Sequence, residues 1–179
     1  MRYKAKAQKN KKMTVRVSIH YNDPRWKRCN LKSYVTSLAS KVIQIHQMRL
    51  NDFSLSILAC SDGKIKELNK IYRKKNKATN VLAWPAVDYL FSIDPDYCSY
   101  DKNNYLFLGD IAISYDRCSR EACFQNIPFE KYCCKLLVHA ILHLLGYDHD
   151  FSVRTSKMQL METRVLNSVL SNRPKYNSI

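Results

Sequence analysis

The stretch PFEKYCCKLLVHAILHLLGYDH, residues 128–149, constrains this chain more than any other. It reads as a leucine-rich helix. Pro128 suits a first helical turn, and Gly146 can take the left-handed conformation that ends the helix and turns the chain back. Residues four apart share a helix face, so His139 and His143 present their imidazoles to a common point. The reversal at Gly146 brings His149 toward the same point. A core helix can carry histidines by chance, but three of the five in this chain fall within these eleven residues, 139–149. Three neutral imidazoles with a fourth position open to water form the donor set of a catalytic zinc, whereas structural sites close with four protein ligands. The spacing therefore predicts one Zn2+ per chain, although nickel or copper would accept the same donors. Asp148 and Asp150 flank His149, and either could accept an imidazole N–H behind the metal. Both also suit a solvated loop.

Hydrophobic periodicity supplies the rest of the architecture. Residues 13–20 alternate Val15, Val17 and Ile19 with polar residues, the pattern of a half-buried strand. From Asp23-Pro24 to about Gln47, the spacing of Leu31, Val35, Leu38, Val42 and Ile45 predicts one amphipathic helix. A second strand is expected over 53–60, then a helix starting at Ser61-Asp62-Gly63 with Ile65, Leu68 and Ile71 on one face. Residues 80–84 read as a short strand stopped by Pro85, and 86–104 as a long surface loop. A fourth strand over 105–114 is interrupted by Gly109. Further helices are expected at 115–125, from Pro128 to Gly146, and over 152–171. The sum is one α+β domain, a roughly four-stranded mixed sheet packed with about five helices, with the zinc site at the end of a helix.

The 179 residues suffice for one domain with a single core. Thirty Lys and Arg face fifteen Asp and Glu, a net charge of +15, and residues 1–12 hold only six of the basic groups. The excess is thus spread over the chain, which points to a polyanionic partner, nucleic acid before an anionic membrane. A lysine-rich tail kept for solubility would raise the charge without any partner. No apolar run reaches the roughly 18 residues that span a bilayer, and the N-terminus lacks the apolar core of a secretory signal. Seven cysteines, an odd number without C-x-x-C pairs, read as reduced thiols rather than a disulfide framework or zinc ligands. A soluble cytoplasmic protein is expected.

The histidine spacing overlaps the zinc-protease pattern H-E-x-x-H-x-x-G-x-x-H, in which the Glu acts as general base. Ala140 occupies that position, and a methyl group takes no proton, so peptide hydrolysis by that route is disfavoured. A second segment, residues 67–85 (ELNKIYRKKNKATNVLAWP), crowds Lys70, Arg73, Lys74, Lys75 and Lys77 together. Arginine suits bidentate phosphate contacts, while the lysines also fit a solvated helix end that offsets the dipole.

LNKIYRKKNKATNVLAWP, then LGDIAIS, then HAILHLLGYDHD, in this order, resemble the YbeY family of endoribonucleases over about residues 50–165. The resemblance implies an α+β fold with zinc on His139, His143 and His149. It implies cleavage of single-stranded RNA in ribosomal RNA maturation, including the 3′ end of small-subunit RNA, and in ribosome quality control. The family's functional arginine falls on Arg73, leaving Lys70, Lys74, Lys75 and Lys77 as RNA-binding candidates. The chain departs from the family at Ala140 (usually Gly), Ala78 (usually Pro) and Ala83-Trp84 (usually Ser-Phe). The expected organisation is a basic arm at 1–12, a nuclease domain at 13–172 and a tail at 173–179, with RNA and ribosomal particles as partners. Two rivals remain: a zinc metallopeptidase-like hydrolase, and a non-catalytic RNA-binding ribosome factor stiffened by zinc.

Overall fold

A computed structural model describes residues 14–46, 52–86, 100–101, 103, 105–147 and 152–170, with the backbone alone over 152–157. The elements run β1 (Thr14–Tyr21), a 3-10 turn (Pro24–Arg28), α1 (Leu31–Ile45), β2 (Asp52–Cys60), α2 (Asp62–Arg73), β3 (Val81–Pro85), β4 (Leu106–Ser114), α3 (Tyr115–Phe124), α4 (Phe129–Leu144) and α5 (Ser152–Leu170). The four strands form one mixed sheet in the order β1-β2-β4-β3. β1 and β4 run parallel to β2, and β3 is antiparallel to β4. The α+β architecture expected from the periodicity is the one observed. Among the described residues no helix is long and apolar enough to cross a membrane.

The expected helix over 24–47 is two elements. Asp23 accepts the Arg25 backbone N–H and opens the 3-10 turn, and Cys29 then returns to extended backbone before α1 begins. Trp26 holds the break in place: fully buried, its indole N–H donates to the Cys60 carbonyl at 3.1 Å, and its ring packs edge-on against Tyr115. A continuous helix could not bring that ring to the end of β2.

The sheet separates two apolar layers of unequal size. One face carries Val17, Phe53, Leu55, Ile57, Leu108, Ile111 and Ile113 against buried residues of α1, α3, α4 and α5. On the other face α2 seals only a small cluster of Cys60, Ile65, Leu82 and Ala112. The core positions of β4 change parity along the strand, from Leu106 and Leu108 to Ile111 and Ile113. The cause is a bulge, in which Leu108 and Gly109 together oppose Leu55 of β2. Gly109 thus does not interrupt β4 but lies within it, at φ +135°. A Cβ there would stand 2.2 Å from the Trp84 carbonyl oxygen and 3.1 Å from Leu144 of α4.

Carboxylates tie down the other side of the fold. Asp116, in the first turn of α3, accepts the Asp62 backbone N–H that opens α2, at 2.9 Å, and Arg25 at 2.7 Å. The same Arg25 pairs with Asp23 at 2.6 Å and lies over the Tyr115 ring. The Arg25 hydrogen bond holds the Asp23 carboxyl below its ordinary range, and the Asp62 N–H does the same for Asp116.

Two outcomes follow from this packing. Gly109→Ala should cost about 3 kcal/mol or more, because it combines a left-handed backbone with a backbone clash; denaturant unfolding measures it. Depressed carboxyl values contribute stability that is present above the ordinary pKa of about 4 and lost as pH falls through the lowered folded values. Thermal unfolding below pH 4 should therefore show a falling melting temperature. Asp116→Asn should lower stability by about 1–2 kcal/mol at neutral pH and flatten that acid limb.

Candidate metal and nucleic-acid site

The C-terminal half of helix α4 is a core helix with two polar exceptions. From Leu136 to Leu145 every residue is buried except His139 and His143, which are half-buried on one face. Their Nε2 atoms stand 3.1 Å apart, and the rings meet nearly at right angles. Two donors bound to one tetrahedral ion at about 2.0–2.1 Å would stand about 3.3 Å apart. The observed spacing is within a few tenths of that value.

Glu162 on α5 accepts a hydrogen bond from His139 Nδ1 at 2.7 Å, and its side chain is only 15% exposed. An ionised carboxylate only accepts, so the proton sits on Nδ1 and the lone pair is left on Nε2, directed at His143. This is the arrangement in which an imidazole behind a metal is held in one tautomer. Sequence reasoning missed Glu162, although the signal was there. Met158 and Val165 form the buried stripe of α5, and Glu162 falls on that stripe as an acid among apolar positions.

The chain then reverses as expected. Gly146 adopts φ +83°, its N–H donates to the His143 carbonyl at 2.9 Å, and the Tyr147 N–H donates to Leu142 at 3.1 Å. These paired bonds satisfy the last carbonyls of α4 and turn the chain off the helix axis. Tyr147 is held against α1 by a 2.7 Å hydrogen bond between its hydroxyl and His46 Nε2. His149, Asp148 and Asp150 lie outside the described residues, as do the arm at 1–12 and the tail at 173–179. Among the described residues no group of three or more His, Cys, Asp or Glu side chains is arranged around a metal position. Six of the cysteines are free thiols, Cys133 and Cys134 buried in the core, and Cys98 lies outside the described residues.

The basic segment divides. Arg73, the last residue of α2, lines a cavity of about 510 Å³ together with Lys75 and Lys77. Lys74 sits at φ +58°, an uncommon conformation for a side-chain-bearing residue. It turns the chain at the end of α2, and its ammonium donates to the Ile71 carbonyl of its own helix at 3.0 Å. Neither Lys70 nor Lys74 lines the cavity. Trp84 lies elsewhere, in a trough of about 490 Å³ on the sheet face that α2 leaves partly open, with Tyr72 edge-on at 5.5 Å and Asp110 and Ser56 beside it. Ala140 is packed in the core, 1% exposed. The position that carries a carboxylate in the proteases therefore faces hydrocarbon here.

The chain is similar to known proteins over most of its length. The family model described as Endoribonuclease YbeY matches residues 7–170. The endoribonuclease YbeY of Cereibacter sphaeroides is 37% identical over 149 residues, covering 80% of this chain and 89% of that protein. That of Paracoccus denitrificans is 38% identical over 153 residues, covering 86% of each. In fold, the chain is similar to a solution structure from Thermotoga maritima, with a TM-score of 0.52 at 22% identity, covering 92% of this chain and all of the other. The chain belongs to the endoribonuclease YbeY family, a family of RNA-cleaving hydrolases.

Proposed function

We propose that this chain is a zinc-dependent endoribonuclease that cuts single-stranded RNA in the cytoplasm, with His139, His143 and His149 as metal ligands. Its substrates are ribosomal RNA and ribosomal particles, in maturation of the 3′ end of small-subunit RNA and in ribosome quality control. The nuclease domain spans 13–172, with 1–12 as a basic arm and 173–179 as a tail. The observation that carries the reading is the convergence of the two Nε2 atoms at 3.1 Å, with Glu162 holding the Nδ1 proton away from them. His149 would complete the donor set after the Gly146 reversal, with Asp148 or Asp150 as a hydrogen-bond partner. The burial of Ala140 argues against the peptidase rival.

Zinc held by these imidazoles would supply a Lewis acid for phosphodiester cleavage. The remaining work belongs to the chain. Arg73 offers a planar, permanently charged fork to the phosphate on which charge builds in the transition state. Among the described residues Arg73 has no carboxylate partner that would occupy it. Lys75 and Lys77, with Lys70 and Lys74 nearby, attract the rest of the polyanion by long-range charge.

The test separates metal from chemistry. Purified protein should hold about one zinc per chain, and His143→Ala should lose it. Glu162→Gln should keep the fold while weakening zinc affinity about 10–100-fold, read by competition with a chromogenic chelator; unchanged affinity would remove Glu162 from the site. Arg73→Ala should keep zinc and fold yet lower turnover on single-stranded ribosomal RNA about a hundredfold or more. Arg73→Lys should recover only part of that loss, because a point charge cannot reproduce the two-pronged contact. An Arg73→Ala protein with normal turnover would place Arg73 on the general basic surface.

A further inference from the structure

The cavity beside Arg73 is lined from two elements, and α3 contributes a cation that the reading above does not use. Arg117, in the first turn of α3, lines the cavity together with Arg73, Lys75 and Lys77. Its Nε is buried and has no hydrogen-bond partner among the described residues. The nearest carboxylate oxygen, Asp62 Oδ2, stands 3.8 Å from it, too far for a hydrogen bond. That oxygen already pairs with Arg120, and the other Asp62 oxygen accepts from the Ser114 hydroxyl at 2.6 Å. Asp62 is therefore shared among three partners and holds Arg117 only by a long ion pair, and the Arg117 side chain stays 38% exposed.

The remaining lining argues for an anion. One carboxylate, Glu121, borders the cavity, but it accepts from Asn80 at 2.9 Å and from the Tyr132 hydroxyl at 2.6 Å. Four cations thus face one carboxylate, whose Oε2 takes both of these hydrogen bonds. The Asn69 amide is spent on the Lys77 carbonyl at 2.7 Å, which holds the loop after α2 against the helix and keeps Lys75 and Lys77 at the rim. The site is polar and cationic, and it draws its cations from α2, from the loop that follows it and from α3. These features suit a phosphate group.

We infer that this cavity is a phosphate subsite for the RNA backbone, with Arg117 as its anchoring residue and Arg73, Lys75 and Lys77 around it. The inference rests on the RNA reading above and assigns Arg117 to substrate binding rather than to chemistry. A phosphate seated there pairs with the exposed part of the Arg117 guanidinium, beside Arg73, Lys75 and Lys77.

Full-length protein and a single-stranded RNA oligonucleotide provide the test, with affinity followed by fluorescence anisotropy between 50 and 200 mM salt. Arg117→Ala should weaken binding about tenfold at the lower salt. It should also flatten the slope of log affinity against log salt by about 0.7, the value for one lost phosphate contact on a single strand. Arg117→Lys, which preserves the charge, should restore most of the slope. A purely structural arginine would leave the slope unchanged even if its loss lowered stability. In a nitrogen–proton NMR spectrum the Arg117 Nε–H should shift on adding the oligonucleotide, and inorganic phosphate or a nucleoside monophosphate should shift it only at much higher concentration. Wild-type affinity and slope in Arg117→Ala, alongside normal RNA cleavage, would overturn the subsite and leave the nuclease reading standing. Saturation by inorganic phosphate as tight as by RNA would make this a free-phosphate site and overturn the backbone assignment. If the wild-type protein fails to cleave RNA while the oligonucleotide still shifts Arg117, the subsite stands and the nuclease reading falls.

Discussion

The packing of α4 into the core is the interaction on which the site depends. Residues from Tyr132 to Leu144 bury ten side chains against α1, α3, α5 and the sheet. Each fully buried Leu, Ile or Val contributes about 1.5–3 kcal/mol, so sliding or rotating this helix would expose several at once. His139 and His143 inherit that rigidity. Their Nε2 atoms are brought together by apolar packing around them and by Glu162 behind one of them. Donors placed in this way lose little freedom when a ligand arrives.

The same packing explains why β4 carries a bulge. Without the extra residue, the alternation begun by Leu106 and Leu108 would put Asp110 and Ala112 into the larger core and turn Ile111 and Ile113 toward α2. The bulge exchanges the faces, so Asp110 emerges beside Trp84 and Ser56 on the open side. Only a residue without Cβ tolerates the approach of the Trp84 carbonyl at that point, and Leu144 comes within van der Waals reach there too. Gly109 therefore sets how closely the histidine-bearing helix lies to the β3–β4 pair, one residue beyond His143.

What the sequence shows and what it hides divide along the same physical line. Local rules suffice for the strands, for the convergence of His139 and His143, and for the Gly146 reversal, because each follows from the 3.6- and 2-residue periods or from one glycine. They fail where a distant partner decides. The 3-10 turn at 24–28 exists because Trp26 reaches the Cys60 carbonyl, and nothing within 24–47 reveals that bond. Glu162 matters because α5 crosses α4 at His139, although an acid on an apolar stripe was a usable warning. Gly109 reads as an interruption until the change of parity on either side of it is counted. Arg117 has no motif at all, and its place is visible only once α2 and α3 stand side by side.

Helix α2 shows how charge is distributed to make such a site. Its N-terminal end is tied into the fold by carboxylates: Asp116 accepts its first N–H, and Asp62 is held by Ser114 and Arg120. Its C-terminal end carries the cations that meet the cavity. A helix C-terminus presents about half a negative charge and by itself repels phosphate. An anion site there needs cations between the exposed carbonyls and the ligand. Lys74, outside the cavity, offsets one carbonyl by donating to Ile71, and its left-handed backbone turns the chain before Lys75 and Lys77. Arg73 stays on the helix, and Arg117 enters from α3. The repulsive end of one helix is thereby screened by cations drawn from two elements. This is the electrostatic condition for a phosphate to bind at a place where the α2 dipole alone would exclude it.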